Sequence, residues 1–266
     1  MLKHITSRDN PLYKQLKKLA DSSRERRKAG QTLLDGAHLV TAYVEALGLP
    51  ELLIVAEGDC TEDALLVLER LSQAKLSEAK KVMFPPAMFA ELSPVARPTG
   101  ILALVNIPQL TAPKSPRFAL LLEDIQDPGN LGSLLRSAAA AGAGIAYLSS
   151  KCADAWSPKV LRGGMGAHFL LDIRENARLA EVAAGLPGTV VAAGLHGKKS
   201  LFDLDLTGPV AFAIGNEGAG LSPGLWHAAH EQISIPMPGR MESLNAVAAA
   251  AVCFFERVRQ RELATL

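Results

Sequence analysis

The chain has 266 residues, 48% of them hydrophobic and 21% charged, with a formal net charge of +1. That length suits two α/β domains of about 100–150 residues each, and the apolar share excludes a disordered chain. No stretch approaches the ~20 uninterrupted apolar residues of a bilayer span.

The N-terminal MLKHITSRDNPLYKQ has no apolar segment of the secretory kind, and Cys60, Cys152 and Cys253 have neither disulfide nor metal-ligand spacing. A reducing cytoplasm, with no membrane and no metal, is the expected setting. The near-neutral total hides a local imbalance. Residues 1–28 carry nine Lys and Arg against three acids, whereas residues 29–112 hold five basic and ten acidic side chains. The basic run is either a solvated helix face or a footprint for a polyanion, through Lys14, Lys17, Lys18, Arg24, Arg26, Arg27 and Lys28.

In chain order, Asn10-Pro11 predicts a helix start, with Asn as cap and Pro at the first helical position. Leu12, Leu16 and Leu19 then give a helical stripe. Residues 32–36 predict a short strand, 37–47 an amphipathic helix, 51–58 a strand, 62–74 a helix, 81–84 a strand and 101–107 an apolar strand. Strands alternating with helices predict an α/β domain over 1–108. Residues 109–117 read as a linker, within a stretch holding three prolines in nine residues.

A second α/β series fills 118–266. Strands are expected at 118–125, 144–150, 168–173, 189–195, 209–215 and 232–237, and helices at 131–141, 177–184 and 242–262. Ser222-Pro223 repeats the cap-and-proline signal before a short helix. Continuous apolar strands of this kind predict a parallel sheet covered on both faces.

Three loops carry the chemistry. They are Asp127-Pro128-Gly129-Asn130-Leu131-Gly132, with Arg136 further along the same helix; Gly215-Asn216-Glu217-Gly218-Ala219-Gly220; and Ile235-Pro236-Met237-Pro238-Gly239, followed by Ser243-Leu244-Asn245. All follow predicted strands, at the sheet edge where open α/β folds place ligands. The spacing Gly215-x-x-Gly218-x-Gly220 is not the dinucleotide fingerprint, and no phosphate-binding P-loop occurs.

Taken in order, these loops resemble the three motifs of the SpoU-type (TrmH-like) RNA ribose 2′-O-methyltransferases of the SPOUT superfamily. The matching residues are Asn130-x-Gly132-x-x-x-Arg136, Ile214-Gly215-Asn216-Glu217-x-x-Gly220, and Ile235-Pro236-Met237 with Ser243-Leu244-Asn245. Ser157-Pro158-Lys159-Val160 to Arg162, closing on Met165-Gly166-Ala167, is similar to the family's segment between motifs. More weakly, Asn10-Pro11 through Leu34-Asp35-Gly36 is similar to a substrate-binding domain related to ribosomal protein L30e. The chain departs from the pattern at Ala139, Gly163-Gly164 and Ala246.

The resemblance implies an α/β fold with a C-terminal trefoil-knotted parallel-sheet domain of SPOUT type, preceded by a smaller L30e-like α/β/α domain. It implies S-adenosylmethionine as cofactor, held around Ile214, Gly215, Asn216, Glu217, Gly220, Ile235, Met237, Ser243, Leu244 and Asn245. It also implies a homodimer and a structured RNA substrate, ribosomal RNA being favoured over transfer RNA; a catalytically silent RNA-binding member is the further alternative. Catalytic roles fall to Arg136, Asn130, Ser243 and Asn245. Arginine is a poor proton acceptor, so Arg136 is expected to grip the phosphate beside the target ribose. Asn130 either orients ribose or Arg136, or caps its helix; Ser243 and Asn245 either bind ligands or cap the last helix. Trp156 and Trp226 either stack on a base or pack.

Overall fold

The computed structural model describes residues 2–73, 80–110, 116–239 and 241–264. Most of the expected linker, residues 111–115, therefore lies outside the described residues, as does residue 74, the last of the helix expected over 62–74. The chain divides into two compact units, Met1–Gln109 with Trp156–Phe169, and Leu110–Ala155 with Leu170–Leu266.

The first unit is built on a five-stranded mixed sheet of β1 (Leu2–His4), β2 (Gln31–Asp35), β3 (Leu52–Ala56), β4 (Lys80–Phe84) and β5 (Ile101–Asn106). Its order is β1-β4-β3-β5-β2, with β5 antiparallel to both neighbours. The helices are α1 (Pro11–Asp21), α2 (Ser23–Ala29), α3 (Ala37–Leu47), α4 (Glu62–Gln73) and α5 (Pro86–Ala90). Asn10 caps α1 as its sequence signal requires, its side chain accepting from the Leu12 N–H at 3.0 Å. Tyr13, Leu16 and Leu19 drive the inner face of α1 into a core with Ile54, Phe84 and Leu102. Strand β1 and helix α5 have no counterpart in the pattern reading, because three and five residues are too short to show a period.

The second unit is a seven-stranded, wholly parallel sheet. It comprises β6 (Phe118–Leu122), α6 (Pro128–Ala140), β7 (Ile145–Leu148), then α7 (Pro158–Gly164), which belongs to the first unit, and β8 (Asp172–Arg174). There follow α8 (Leu179–Gly185), β9 (Thr189–Ala193), β10 (Lys199–Ser200), β11 (Val210–Ile214), α9 (Pro223–Ala228), β12 (Glu231–Ser234) and α10 (Ala246–Leu263). The order is β10-β12-β9-β11-β6-β7-β8. Strands β6 and β11 are buried along their whole length, and Phe118, Phe212 and Phe254 of β6, β11 and α10 meet edge-on or tilted at 5.5–6.0 Å.

Three expectations need correction. Residues 168–173 are not one strand: Met165 and Gly166 adopt positive φ, Ala167–Phe169 form a 3-10 turn, and only Asp172–Arg174 pairs. Helix α6 starts at Pro128, three residues before the expected 131, because Asp127 rather than Asn130 is its cap. Helix α10 starts at Ala246 rather than 242, since Asn245 caps it. The segment 156–169 clusters with the first unit. There Thr32 Oγ1 donates to the Trp156 carbonyl at 2.6 Å, Phe169 meets the Tyr43 ring at 5.3 Å, and Trp156 is buried as packing.

Candidate active site

The site is built at the carboxyl ends of β6, β11 and β12. Apolar β6 runs into Glu123 and Asp124. Both Glu123 carboxylate oxygens hold Ser222, accepting its backbone N–H at 2.7 Å and its hydroxyl at 2.8 Å. That ties the loop after β11 to the end of β6. Asp124 takes a left-handed backbone (φ 56), uncommon for a non-glycine residue. Its N–H donates to Ser149 Oγ at 2.9 Å, while that hydroxyl donates to Asp124 Oδ1 at 2.7 Å, and Lys151 Nζ lies 3.4 Å from Oδ2. Glu123, Asp124 and Ser149 are the residues that sequence reasoning missed. The signal was there: two acids directly after a fully apolar parallel strand.

The loop 215–220 is folded on itself. Asn216 Nδ2 donates to the Asp124 carbonyl at 3.0 Å, and its Oδ1 accepts from Gly218 and Ala219 N–H at 2.9 and 3.1 Å. The Gly220 N–H closes the turn on the Asn216 carbonyl at 2.8 Å. A Cβ on Gly215 would sit 2.3 Å from the Gly220 carbonyl carbon, so only glycine fits there. The Asn216 side chain is thus spent on shaping its own loop. Glu217, next along, is left exposed at the loop's crest.

Glu217 is where the three sequence motifs meet. Its Oε1 accepts from Asn130 Nδ2, on the first turn of α6, and from Asn245 Nδ2 at 2.9 Å. The partners are 87 and 28 residues away in the chain. The Asn130 backbone N–H donates to the capping carboxylate of Asp127 at 2.8 Å, which fixes the first turn of α6. Asn245 serves twice, because its Oδ1 also accepts the Val247 N–H at 2.9 Å as the α10 cap. Capping α10 and bonding Glu217 are therefore not alternatives for this residue.

The remaining expected site residues are placed as follows. Ile214 is buried at the end of β11, and Ile235 and Met237 are half-buried. Ser243 and Leu244 are exposed, and Ser243 caps nothing. Among the described residues no backbone hydrogen bond is made by residues 235–239. Arg136 stands on the exposed side of α6 and, among the described residues, bonds neither to the Asn130–Glu217–Asn245 group nor to any other partner. Beneath the site the Cys152 thiol donates to the Leu122 carbonyl at 3.2 Å, and burial pushes its pKa up.

On the first unit, the basic run is less available than its count suggests. Arg26 is not a polyanion contact: it is buried, and its Nη1 donates to the Leu19 and Ala20 carbonyls at 2.6 and 3.1 Å, closing the C-terminal end of α1. Lys14 pairs with Asp9 at 2.8 Å. Lys17 lies 2.9 Å from an Asp21 oxygen and donates to the Glu91 carbonyl at 2.9 Å. Lys18, Arg24, Arg27 and Lys28 remain exposed.

Among the described residues no group of three His, Cys, Asp or Glu could hold a metal ion, and no helix is long and apolar enough to cross a membrane.

Comparison with known proteins gives consistent matches along the chain. The SpoU rRNA Methylase family model matches residues 117–255, and the MRM3-like substrate binding domain model matches residues 10–103. The 23S rRNA (uridine(2479)-2′-O)-methyltransferase of Streptomyces viridochromogenes is 32% identical, over 97% of this chain and 93% of that protein. The 23S rRNA (guanosine(2553)-2′-O)-methyltransferase RlmP of Bacillus subtilis is 30% identical, over 96% of this chain and 98% of that protein. Among solved structures, the SpoU methyltransferase AviRb from Streptomyces viridochromogenes in complex with AdoMet superposes with a TM-score of 0.80 at 29% identity, covering 96% of this chain and 100% of that one.

Proposed function

Because the chain belongs to the SpoU rRNA Methylase family, we propose that it transfers a methyl group from S-adenosylmethionine to a ribose 2′-hydroxyl in structured RNA, with ribosomal RNA as the substrate class. The observation that carries this is the meeting of Asn130, Glu217 and Asn245, from three separate loops, at the carboxyl ends of parallel strands. A ligand cleft at that edge is the general rule for parallel α/β sheets.

The residues present suit the cofactor. The backbone of residues 235–239 offers donors and acceptors to the edge of an adenine, and Ile235, Met237 and Leu244 offer apolar contact to its faces. Ile214, Gly215 and Gly220 line the adjoining turn. When bound, S-adenosylmethionine supplies an electrophilic methyl group on a sulfonium leaving group.

The protein's task is then to prepare a sugar hydroxyl that is barely ionised at neutral pH. The guanidinium of Arg136 is a weak base but a rigid fork of donors. It holds the phosphate beside the target ribose through paired N–H bonds and steadies negative charge as it develops on oxygen. A phosphate oxygen or a water takes the proton. Lys18, Arg24, Arg27 and Lys28 on the first unit attract the RNA backbone.

Two finer features belong to the same reading. A trefoil knot is supported by β12 lying between β9 and β10, although only residues 194–198 connect those two strands. A homodimer is supported by Val252, Phe255 and Leu263, which share one side of α10 at 37%, 49% and 57% exposure. The absence of a membrane or metal partner and a cytoplasmic site of action complete the proposal.

The test is direct. Protein incubated with labelled S-adenosylmethionine should mark protein-free ribosomal RNA, or the ribosomal subunits, at a discrete nucleotide that becomes resistant to alkaline hydrolysis. No transfer to either substrate, together with no calorimetric binding of the methyl donor, would overturn the reading. Transfer confined to transfer RNA would keep the reaction and replace the substrate class.

A further inference from the structure

Glu217 does not behave as a ligand-facing carboxylate in its observed contacts. One of its oxygens accepts two amide N–H groups, from Asn130 and from Asn245. An ionised carboxylate can only accept, so it dictates which end of each amide faces it. For Asn245 the other end is already used, since its Oδ1 takes the Val247 N–H as the helix cap. For Asn130 it is not: its backbone N–H goes to Asp127, and among the described residues nothing donates to its Oδ1. Of the three polar side chains, Asn130 alone is left with an unfilled amide oxygen, and Glu217 is what sets it that way round.

We propose that Glu217 is a positioning residue, fixing the Asn130 amide so that its Oδ1 is the acceptor for the proton-bearing side of the substrate hydroxyl. This rests on the methyltransferase reading and specifies one part of it. A 2′-hydroxyl that donates a hydrogen bond to Asn130 Oδ1 presents a lone pair to the methyl carbon. As the new C–O bond forms the C–S bond breaks, its electron pair leaving on sulfur as a neutral thioether. The proton then passes from the ribose oxygen to a phosphate oxygen or water, since an amide oxygen is too weak a base to keep it. Asn130 is then a substrate contact, and Glu217 acts through it. The competing role for Glu217 is direct contact with the methyl donor, whose positive charge a carboxylate also suits.

A small set of variants separates the two roles, read by kcat and KM for RNA and by calorimetric Kd for S-adenosylmethionine. Glu217→Ala should lower kcat about tenfold or more while leaving the Kd within about twofold. Glu217→Gln should recover most of what Glu217→Ala loses, because one amide oxygen can still accept both N–H groups. The pair Asn130→Ala with Glu217→Ala should be no slower than Asn130→Ala alone, the signature of two residues acting as one. Asn130→Asp sets two carboxylates face to face and should fall sharply. Adding Glu217→Gln to it should recover activity, since the new glutamine donates to the new aspartate while still accepting from Asn245. A Kd raised about tenfold in Glu217→Ala with kcat kept, multiplying losses in the double variant, or a Glu217→Gln as slow as Glu217→Ala would each overturn the proposal. An inactive parent protein would instead sink the methyltransferase reading itself.

Discussion

Arg136 is the residue on which the proposed reaction leans most, and it stands exposed and uncommitted on α6. Replacing it by Ala should cost about a hundredfold or more in kcat/KM. Arg136→Lys should recover little, because an ammonium cannot make the paired, planar contact; turnover near the parent in the lysine variant would refute the phosphate grip. A second arginine has the opposite character. Arg257 is fully buried, donates to the Arg117 carbonyl at 3.0 Å and stacks over the Phe118 ring at 4.8 Å, with no carboxylate partner among the described residues. Burial, with Arg261 and Arg117 nearby, pushes its pKa down to about 10, which opens a pH window between that value and the ordinary arginine range. The unfolded chain therefore binds this proton more tightly. Stability rises as pH climbs through that window, and the cost is present in full below it. Arg257→Met should leave the unfolding free energy at neutral pH unchanged or raise it by about 1 kcal/mol, and should flatten the alkaline rise. Denaturant titrations of the two proteins across pH check both points. At this scale the motifs single out Asn130, Glu217 and Asn245 as candidate site residues. They cannot show that one carboxylate joins these residues, since that depends on contacts across 87 residues.

At the scale of elements, the long apolar strands and the capped helices were legible because their signals are local. Asn10-Pro11 and Ser222-Pro223 both start helices as read, and β6, β9 and β11 fall within their predicted runs. Asp127-Pro128 is the same signal, and it, not Asn130, starts α6. The short edge strand β10 was illegible for another reason. It forms because the turn before it lies against β12, with the Gly194 N–H donating to the Ile233 carbonyl at 3.0 Å and the Lys198 N–H to the Gln232 carbonyl at 3.0 Å. Between them Gly197 touches β12 so closely that a Cβ would fall 1.9 Å from the Ile233 carbonyl carbon. Gly197→Ala should therefore lower stability by about 1–3 kcal/mol. Gly208→Ala, where a Cβ meets nothing within 4 Å, should stay within about 0.5 kcal/mol of the parent. Equal midpoints in urea for the two variants would contradict the close-contact argument.

For the molecule as a whole, residues 156–169 cluster with the first unit, which no local signal in the sequence shows. Nothing in Ser157-Pro158 says which sheet its helix will cover; that is settled by Thr32, Asp35 and Tyr43, far earlier in the chain. The proposed dimer makes its own prediction. Phe255→Arg should convert the sedimenting species from two copies to one, and a parent protein that already sediments as a single copy would remove the dimer. The strand order carries a further consequence for biosynthesis. Strand β12 is encoded after β9 and β10 yet, among the described residues, is the strand that pairs with both on their facing sides. Until it has emerged from the ribosome, the nascent chain carries two open β edges, each a template for sticking to a neighbour. Premature termination before Glu231 should thus yield aggregates, not a smaller soluble domain, and demand for chaperones should peak late in translation.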